Sequence, residues 1–108
     1  MKRTHLPLNA LRVFEVAMRQ GSFTKAAVEL RVTQAAVSHQ VARLDDLLGV
    51  TLFLRTAQGL VPTDEGQRLF PVLEHGFDAM ARVLGRLGGQ RDVEVLKVGV
   101  NTTFALGW

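Results

Sequence analysis

Cysteine is absent from the chain, which excludes disulfide staples and thiolate metal sites and fits a reducing compartment. No stretch reaches the roughly 18 consecutive apolar residues of a membrane span. After Lys2 and Arg3, the residues Leu6-Pro7-Leu8-Asn9 do not build the apolar run of a secretory leader. A cytoplasmic protein with no membrane partner is therefore the expectation. A glycine-rich phosphate loop is also missing. His5, His39 and His75 fall in three different segments without ligand spacing, so no metal and no cofactor are expected. Ser38 and His39 are neighbours about 100° apart on a helix and cannot face each other as nucleophile and base, even with Asp45 nearby. The chain is not expected to be an enzyme.

What is present is an ordinary globular composition, 47% hydrophobic and 21% charged, which places the chain outside the disordered class. At 108 residues there is room for one small domain and an appendage. Charge is unevenly spread. Residues 1–62 carry eight Lys and Arg against four acids, a net of +4, while residues 63–108 carry five against six, a net of −1. The front portion is the part suited to a polyanion.

Leu8, Leu11, Phe14, Ala17 and Met18 recur at helical spacing and are closed by Gly21, predicting a first helix over about residues 8–20. A second, two-turn helix is predicted from Thr24, as its cap, to Arg31. A third is predicted after Thr33, with Val37, Val41, Leu44 and Leu48 on one stripe until Gly49. Two short helices joined by a tight turn make a helix-turn-helix. Residues 51–55 and 60–62, flanking the loop Thr56-Ala57-Gln58-Gly59, read as a hairpin wing with Gly59 at positive φ.

From Thr63, a capping type followed by Asp64 and Glu65, a long helix is predicted to about residue 89. Gly66, Leu69, Leu73, Gly76, Met80, Val83 and Leu87 form a heptad seam, and Phe70, Phe77 and Leu84 widen it enough to imply a partner helix. Pro71 should bend this helix. Gly85, Gly88 and Gly89 are expected to end it. Residues 90–108 then read as a polar linker, a buried strand around Val95, Leu96, Val98 and Val100, and caps Asn101, Thr102 and Thr103. One strand is no domain, so these residues are expected to open a second domain that is not complete here. The expected fold is mainly α: a winged helix-turn-helix (1–62), a dimerising linker helix (63–89) and the start of an effector domain (90–108).

On a wheel with Val37 at zero, Val41, Leu44 and Leu48 fall within about 40° of it, and Ala35, Ser38, His39 and Ala42 at about 100–200°. Arg43 follows at about 240°. The outward face is small, polar and cationic, a surface that can approach base edges. Gln34 and Ser38 can pair with bases or phosphates, Ala35 or Ala36 can meet a thymine methyl, and Arg43 can reach a phosphate. On the helix alone, a plain solvated surface explains these residues as well as DNA does. A dimerising protein-interaction module shares the fold and remains the alternative.

Several ordered motifs move that balance. Leu8-Asn9-Ala10-Leu11-Arg12-Val13-Phe14, Gly21-Ser22-Phe23-Thr24-Lys25-Ala26-Ala27, Val32-Thr33-Gln34-Ala35-Ala36-Val37-Ser38, and Leu52-Phe53 with Arg55 resemble the amino-terminal domain of the LysR-type regulators. The likeness covers nearly all of residues 6–88. It implies a transcription regulator in which Thr33, Gln34, Ala35, Ser38 and His39 enter the major groove of double-stranded DNA. It also implies that Ser22 and Thr24 touch phosphates and that Arg55 follows the backbone or minor groove. His39 departs from the arginine of many members, which puts any guanine preference at that position in doubt. The resemblance further implies a homodimer, or a tetramer when full length, built on the long helix and reading a pseudo-palindromic promoter site. Pro71-Val72-Leu73, Phe77-Asp78, and Val98-Gly99-Val100 before Thr103-Phe104-Ala105 look closest to the AmpR-like subgroup that controls β-lactamase genes. That subgroup implies an effector, a cell-wall peptide fragment, sensed by the further domain near Thr102 and Thr103, although both threonines also serve simply as helix caps.

Overall fold

The computed structural model describes residues 1–88. The expected linker, strand, caps and effector residues Thr102 and Thr103 lie outside the described residues, as does Gly89. The chain divides into two compact units, Met1–Glu74 and His75–Trp108.

In the first unit, a 3-10 turn at Arg3–His5 precedes α1 (Leu8–Gln20), α2 (Phe23–Leu30), α3 (Gln34–Leu48), β1 (Phe53–Thr56) and β2 (Gly59–Pro62), and α4 (Asp64–Gly88) begins there. The helices start and stop where local chemistry requires. Thr33 accepts the Ala36 N–H at 3.0 Å and caps α3, as its sequence position predicts. For α2 the cap is Ser22, whose Oγ accepts the Lys25 N–H at 3.1 Å, so the expected cap Thr24 stands inside the first turn. The physical reason is that Phe23 already belongs to the helix, where its ring enters the core. Residues in the left-handed region close all three helices, and at the end of α2 that residue is Arg31 (φ 60°), the non-glycine with positive φ among the described residues. Its N–H bonds back to Val28, and the N–H of Val32 to Ala27.

Phe14, Leu44, Leu52 and Val37 are the largest fully buried side chains, packed with Val13, Val16, Phe23, Val41 and Phe53 into one core shared by α1, α2, α3 and the entry to β1. Leu48, expected on the buried stripe of α3, is 39% exposed because it sits in the final turn. Strands β1 and β2 pair antiparallel, from Phe53 opposite Pro62 to Thr56 opposite Gly59. The loop is thus the pair Ala57 and Gln58 rather than four residues, with Gly59 at φ 120° as the tight reversal requires.

Thr63 anchors the start of α4: its Oγ1 donates to the Thr51 carbonyl at 2.6 Å and accepts the Gly66 N–H at 3.2 Å. Gly66 is buried, and a Cβ there would lie 2.5 Å from the Leu52 carbonyl oxygen, so the glycine permits the helix to touch the chain entering β1. Leu69, Phe70 and Leu73 pack against the unit's own core. The first half of the expected seam therefore already has an occupant, because the same stripe that suits a partner helix also covers the domain from which the helix departs. In the second unit, α4 continues past Gly85 to Gly88, and Met80, Val83, Leu84 and Leu87 are exposed. Gly85 does not end the helix because one glycine costs only about 1 kcal/mol in a helix interior. Pro71 lies inside α4.

Candidate nucleic-acid interface

Three local events bring the polar residues together. The Thr33 cap starts α3 so that Gln34 and Ala35 are exposed in its first turn, with Ser38 one turn on. The Ser22 cap sets the first turn of α2 beside them. The hairpin then carries Arg55, one pair before its turn, back over both helices.

The contacts are specific. The Thr24 hydroxyl donates to Gln34 Oε1 at 3.2 Å, linking the first turns of α2 and α3. Arg55 Nη2 donates to Ser38 Oγ at 3.0 Å, and the guanidinium carbon lies 5.0 Å from the centre of the Phe23 ring, a cation–π contact. Phe23 in turn meets Phe53 edge-on at 5.8 Å, and Phe53 meets Phe14 at 5.4 Å. A line of three rings thus runs from the core out to the arginine. The groove in front of it is lined by Gly21, Ser22, Phe23, Gln34, Arg55, Thr56, Gly59 and Leu60, without an acidic side chain. The amino-terminal ends of α2 and α3 open into it, which adds partial positive charge.

Of the residues expected from sequence, Ser22, Gln34 and Arg55 line this groove, and Thr24 and Ser38 bond to members of it. Thr33, Ala35, His39 and Arg43 are exposed and Ala36 is half-buried; among the described residues, His39 and Arg43 make no side-chain hydrogen bond and stand apart from the cluster. Arg55 is drawn inward from the wing onto the recognition helix. Phe23, Thr56 and Leu60 are members that sequence reasoning did not single out. A ring at residue 23 beneath a guanidinium at residue 55 leaves no periodic trace, and the one available signal is the aromatic between the caps Ser22 and Thr24.

A second depression is lined by Phe23, Ser38, Val41, Ala42, Asp45, Phe53 and Arg55, and Asp45 Oδ1 accepts the Leu52 N–H at 3.1 Å. Partial burial, joined by the negative charge of Asp46, pushes the Asp45 carboxyl above the ordinary aspartate value, partly offset by that backbone hydrogen bond. Among the described residues no group of three His, Asp or Glu side chains could hold a metal ion, and no helix is long and apolar enough to cross a membrane.

Two short helices at a tight turn, an exposed second helix and a two-stranded hairpin define a winged helix-turn-helix domain. Residues 8–67 match the bacterial regulatory helix-turn-helix proteins of the lysR family, and the chain belongs to that family. It is 84% identical over its whole length to the HTH-type transcriptional activator AmpR of Rhodobacter capsulatus, of which it covers 37%. It is also 56% identical over its whole length to the AmpR of Pseudomonas aeruginosa, of which it covers 36%. The AmpR-like resemblance read from a few residues is thereby supported across the entire chain, which spans little more than a third of these relatives. Among solved structures, the BenM DNA-binding domain in complex with catB site 1 DNA is similar at a TM-score of 0.65 and 29% identity, over 76% of this chain and 96% of that one.

Proposed function

We propose that the chain is the DNA-reading portion of an AmpR-like transcription regulator that acts at the promoter of a β-lactamase gene. The observation that carries this reading is the acid-free groove lined by Ser22, Gln34 and Arg55 at the amino-terminal ends of two helices, with Ser38 bonded to Arg55 beside it. Cationic and neutral hydrogen-bonding groups without carboxylates suit a phosphate backbone flanking base edges. Gln34 and Ala35 read bases, with Ser38 and His39 behind them. Thr33, Ser22 and Thr24 hold phosphates at the helix ends, Ala36 sits at the rim, and Arg43 reaches the backbone beyond. The chemistry is non-covalent throughout, so no enzymatic step is involved. The relatives' naming as activators favours activation.

The same reading makes the protein a homodimer on a pseudo-palindromic site, assembled through the distal stripe of α4. The exposed Met80, Val83, Leu84 and Leu87, with Phe77, support that role. Leu69, Phe70 and Leu73 contribute mainly by fixing the helix to its own domain. A small-molecule effector acts through sequence beyond the described residues.

The test is fluorescence anisotropy with duplexes selected by the chain from a randomised pool, against scrambled duplexes of equal composition, titrated over salt. Tighter binding to the selected set with a steep salt slope is expected, and Gln34→Ala should relax the preference. Equal binding to both sets would favour a dimerising interaction module instead. Met80→Asp should give monomers in sedimentation while leaving the winged unit folded, which makes it a cleaner probe of the seam than Leu73→Asp.

A further inference from the structure

We infer that Arg55 is a positioning residue: a strut that ties wing, α2 and α3 together before any DNA arrives, and through Ser38 sets the presentation of the recognition helix. This rests on the DNA-reading function proposed above and adds a role that phosphate contact does not require.

Three observations support it. The guanidinium carbon lies over the Phe23 ring at 5.0 Å from its centre while Nη2 donates to Ser38 at 3.0 Å, so one group engages α2 through a ring and α3 through a hydroxyl. Phe23 is not a loose platform, because it is 7% exposed and braced edge-on by Phe53, the residue two before Arg55 on the same strand. The strand thus grips α2 twice, once through a ring and once through a cation. Among the described residues no carboxylate pairs with Arg55, the ion pairs there both belonging to Arg19, so the strut holds the arginine in place without neutralising it. A side chain ordered in advance loses less conformational freedom on binding. The Ser38 hydroxyl, with one lone pair occupied by Arg55, is left to turn its proton outward as a donor. Lysine cannot substitute, since a compact ammonium is a single point of charge and does not span ring and hydroxyl as the extended, delocalised guanidinium does.

Two measurements test the strut. In the free 108-residue chain, the Arg55 side-chain Nε–H resonance should be shifted upfield by the Phe23 ring, apart from the other arginines, and should move back in Phe23→Leu. Ser38→Ala, a half-exposed change that spares the core, should also displace it. A resonance that sits among the solvent-exposed arginines and ignores Ser38→Ala overturns the proposal. On DNA, Arg55→Lys should lower discrimination between selected and scrambled duplexes roughly five- to tenfold, with a loss on scrambled duplex of no more than about twofold. Arg55→Ala should lower both. If Arg55→Lys keeps full discrimination, or loses both affinities in parallel, Arg55 is only a charge at the backbone and the proposal fails. If the parent chain itself does not discriminate, the DNA-reading function fails, and the resonance of the free chain still decides whether the strut exists.

Discussion

On the α1–α2 flank of the winged unit charges are closed into pairs, whereas on the face made by α3 and the wing they are left open. Arg19 holds Glu29 in two-point contact, at 3.0 and 2.7 Å, and reaches back to Glu15 at 3.3 Å. Gln20 adds a bond to Glu29 at 2.7 Å. Across the domain, Arg55 is held instead by a ring and a hydroxyl. The same residue type serves both places, and the partner decides the outcome: a carboxylate consumes the charge, while an aromatic face and a neutral acceptor fix its position and keep it available. The difference separates a flank that joins two helices from a face that can meet an anion.

The most damaging way to break this comparison is to remove the ring between the two regions. Phe53 touches Phe14 of α1 and Phe23 of α2, so Phe53→Ala should cost about 3–5 kcal/mol as a buried aromatic truncation. Denaturant unfolding should register the loss, and the reading face should suffer with it because Arg55 leaves on the same strand. A loss under about 1 kcal/mol would mean that the ring line does not unite the two regions.

Next in size is Gly66→Ala. The added methyl would meet the Leu52 carbonyl, a backbone atom that cannot swing aside, so α4 or the entry to β1 must shift at a cost of roughly 1–3 kcal/mol. This sharpens the comparison, since the Leu52 N–H also donates to Asp45 in the last turn of the recognition helix. A thermal midpoint equal to the parent's would show that the close approach relaxes freely.

A smaller effect is expected on the paired flank. Arg19→Ala should lower stability by about 0.5–1 kcal/mol, the upper range for a surface pair with two-point geometry. The Arg19 hydrogen bond holds the Glu29 carboxyl below the ordinary glutamate value. The charged form is therefore favoured by folding, and its contribution is present above the ordinary glutamate range and lost as pH falls through the lowered value. Parent and Arg19→Ala stabilities should thus converge on acidification, and curves that stay parallel would remove the ion pair from the account. DNA binding at neutral pH should change little beyond the loss of one remote charge.

What the sequence makes legible is local. Caps and apolar stripes place α1, α3 and the onset of α4, because Thr33, Gly49 and Thr63 act on backbone groups within a few residues. Motif order brings the lysR likeness within reach for the same reason. The displaced cap of α2 turns on whether Phe23 belongs to the helix, a matter decided by core packing. The seam is ambiguous because Leu69, Phe70 and Leu73 satisfy one periodicity whether the surface they cover is their own domain or another chain. The strut between Phe23 and Arg55 is not legible at all, since its partners are joined only once α2 and the hairpin have docked.

The mildest prediction concerns the carboxylate in the last turn of the recognition helix. Asp45 sits in the last turn of α3, near the negative end of the helix dipole and beside Asp46, and it is partly buried while bonding the Leu52 N–H. Its carboxyl is raised, so the folded chain holds the proton more tightly than the unfolded chain, and parent stability gains as pH falls from the raised value toward about 3.9, the unfolded aspartate value. Above that window the charge opposes folding. Asp45→Asn keeps an oxygen for the Leu52 N–H and removes the charge, so the variant should be slightly more stable than the parent at neutral pH. That advantage should shrink as the parent protonates, in unfolding curves measured from neutral to acidic pH. If the asparagine variant is instead the less stable at neutral pH, the charged hydrogen bond to Leu52 outweighs burial, and the carboxylate would belong with the Arg19 flank as a charge whose partner offsets its cost.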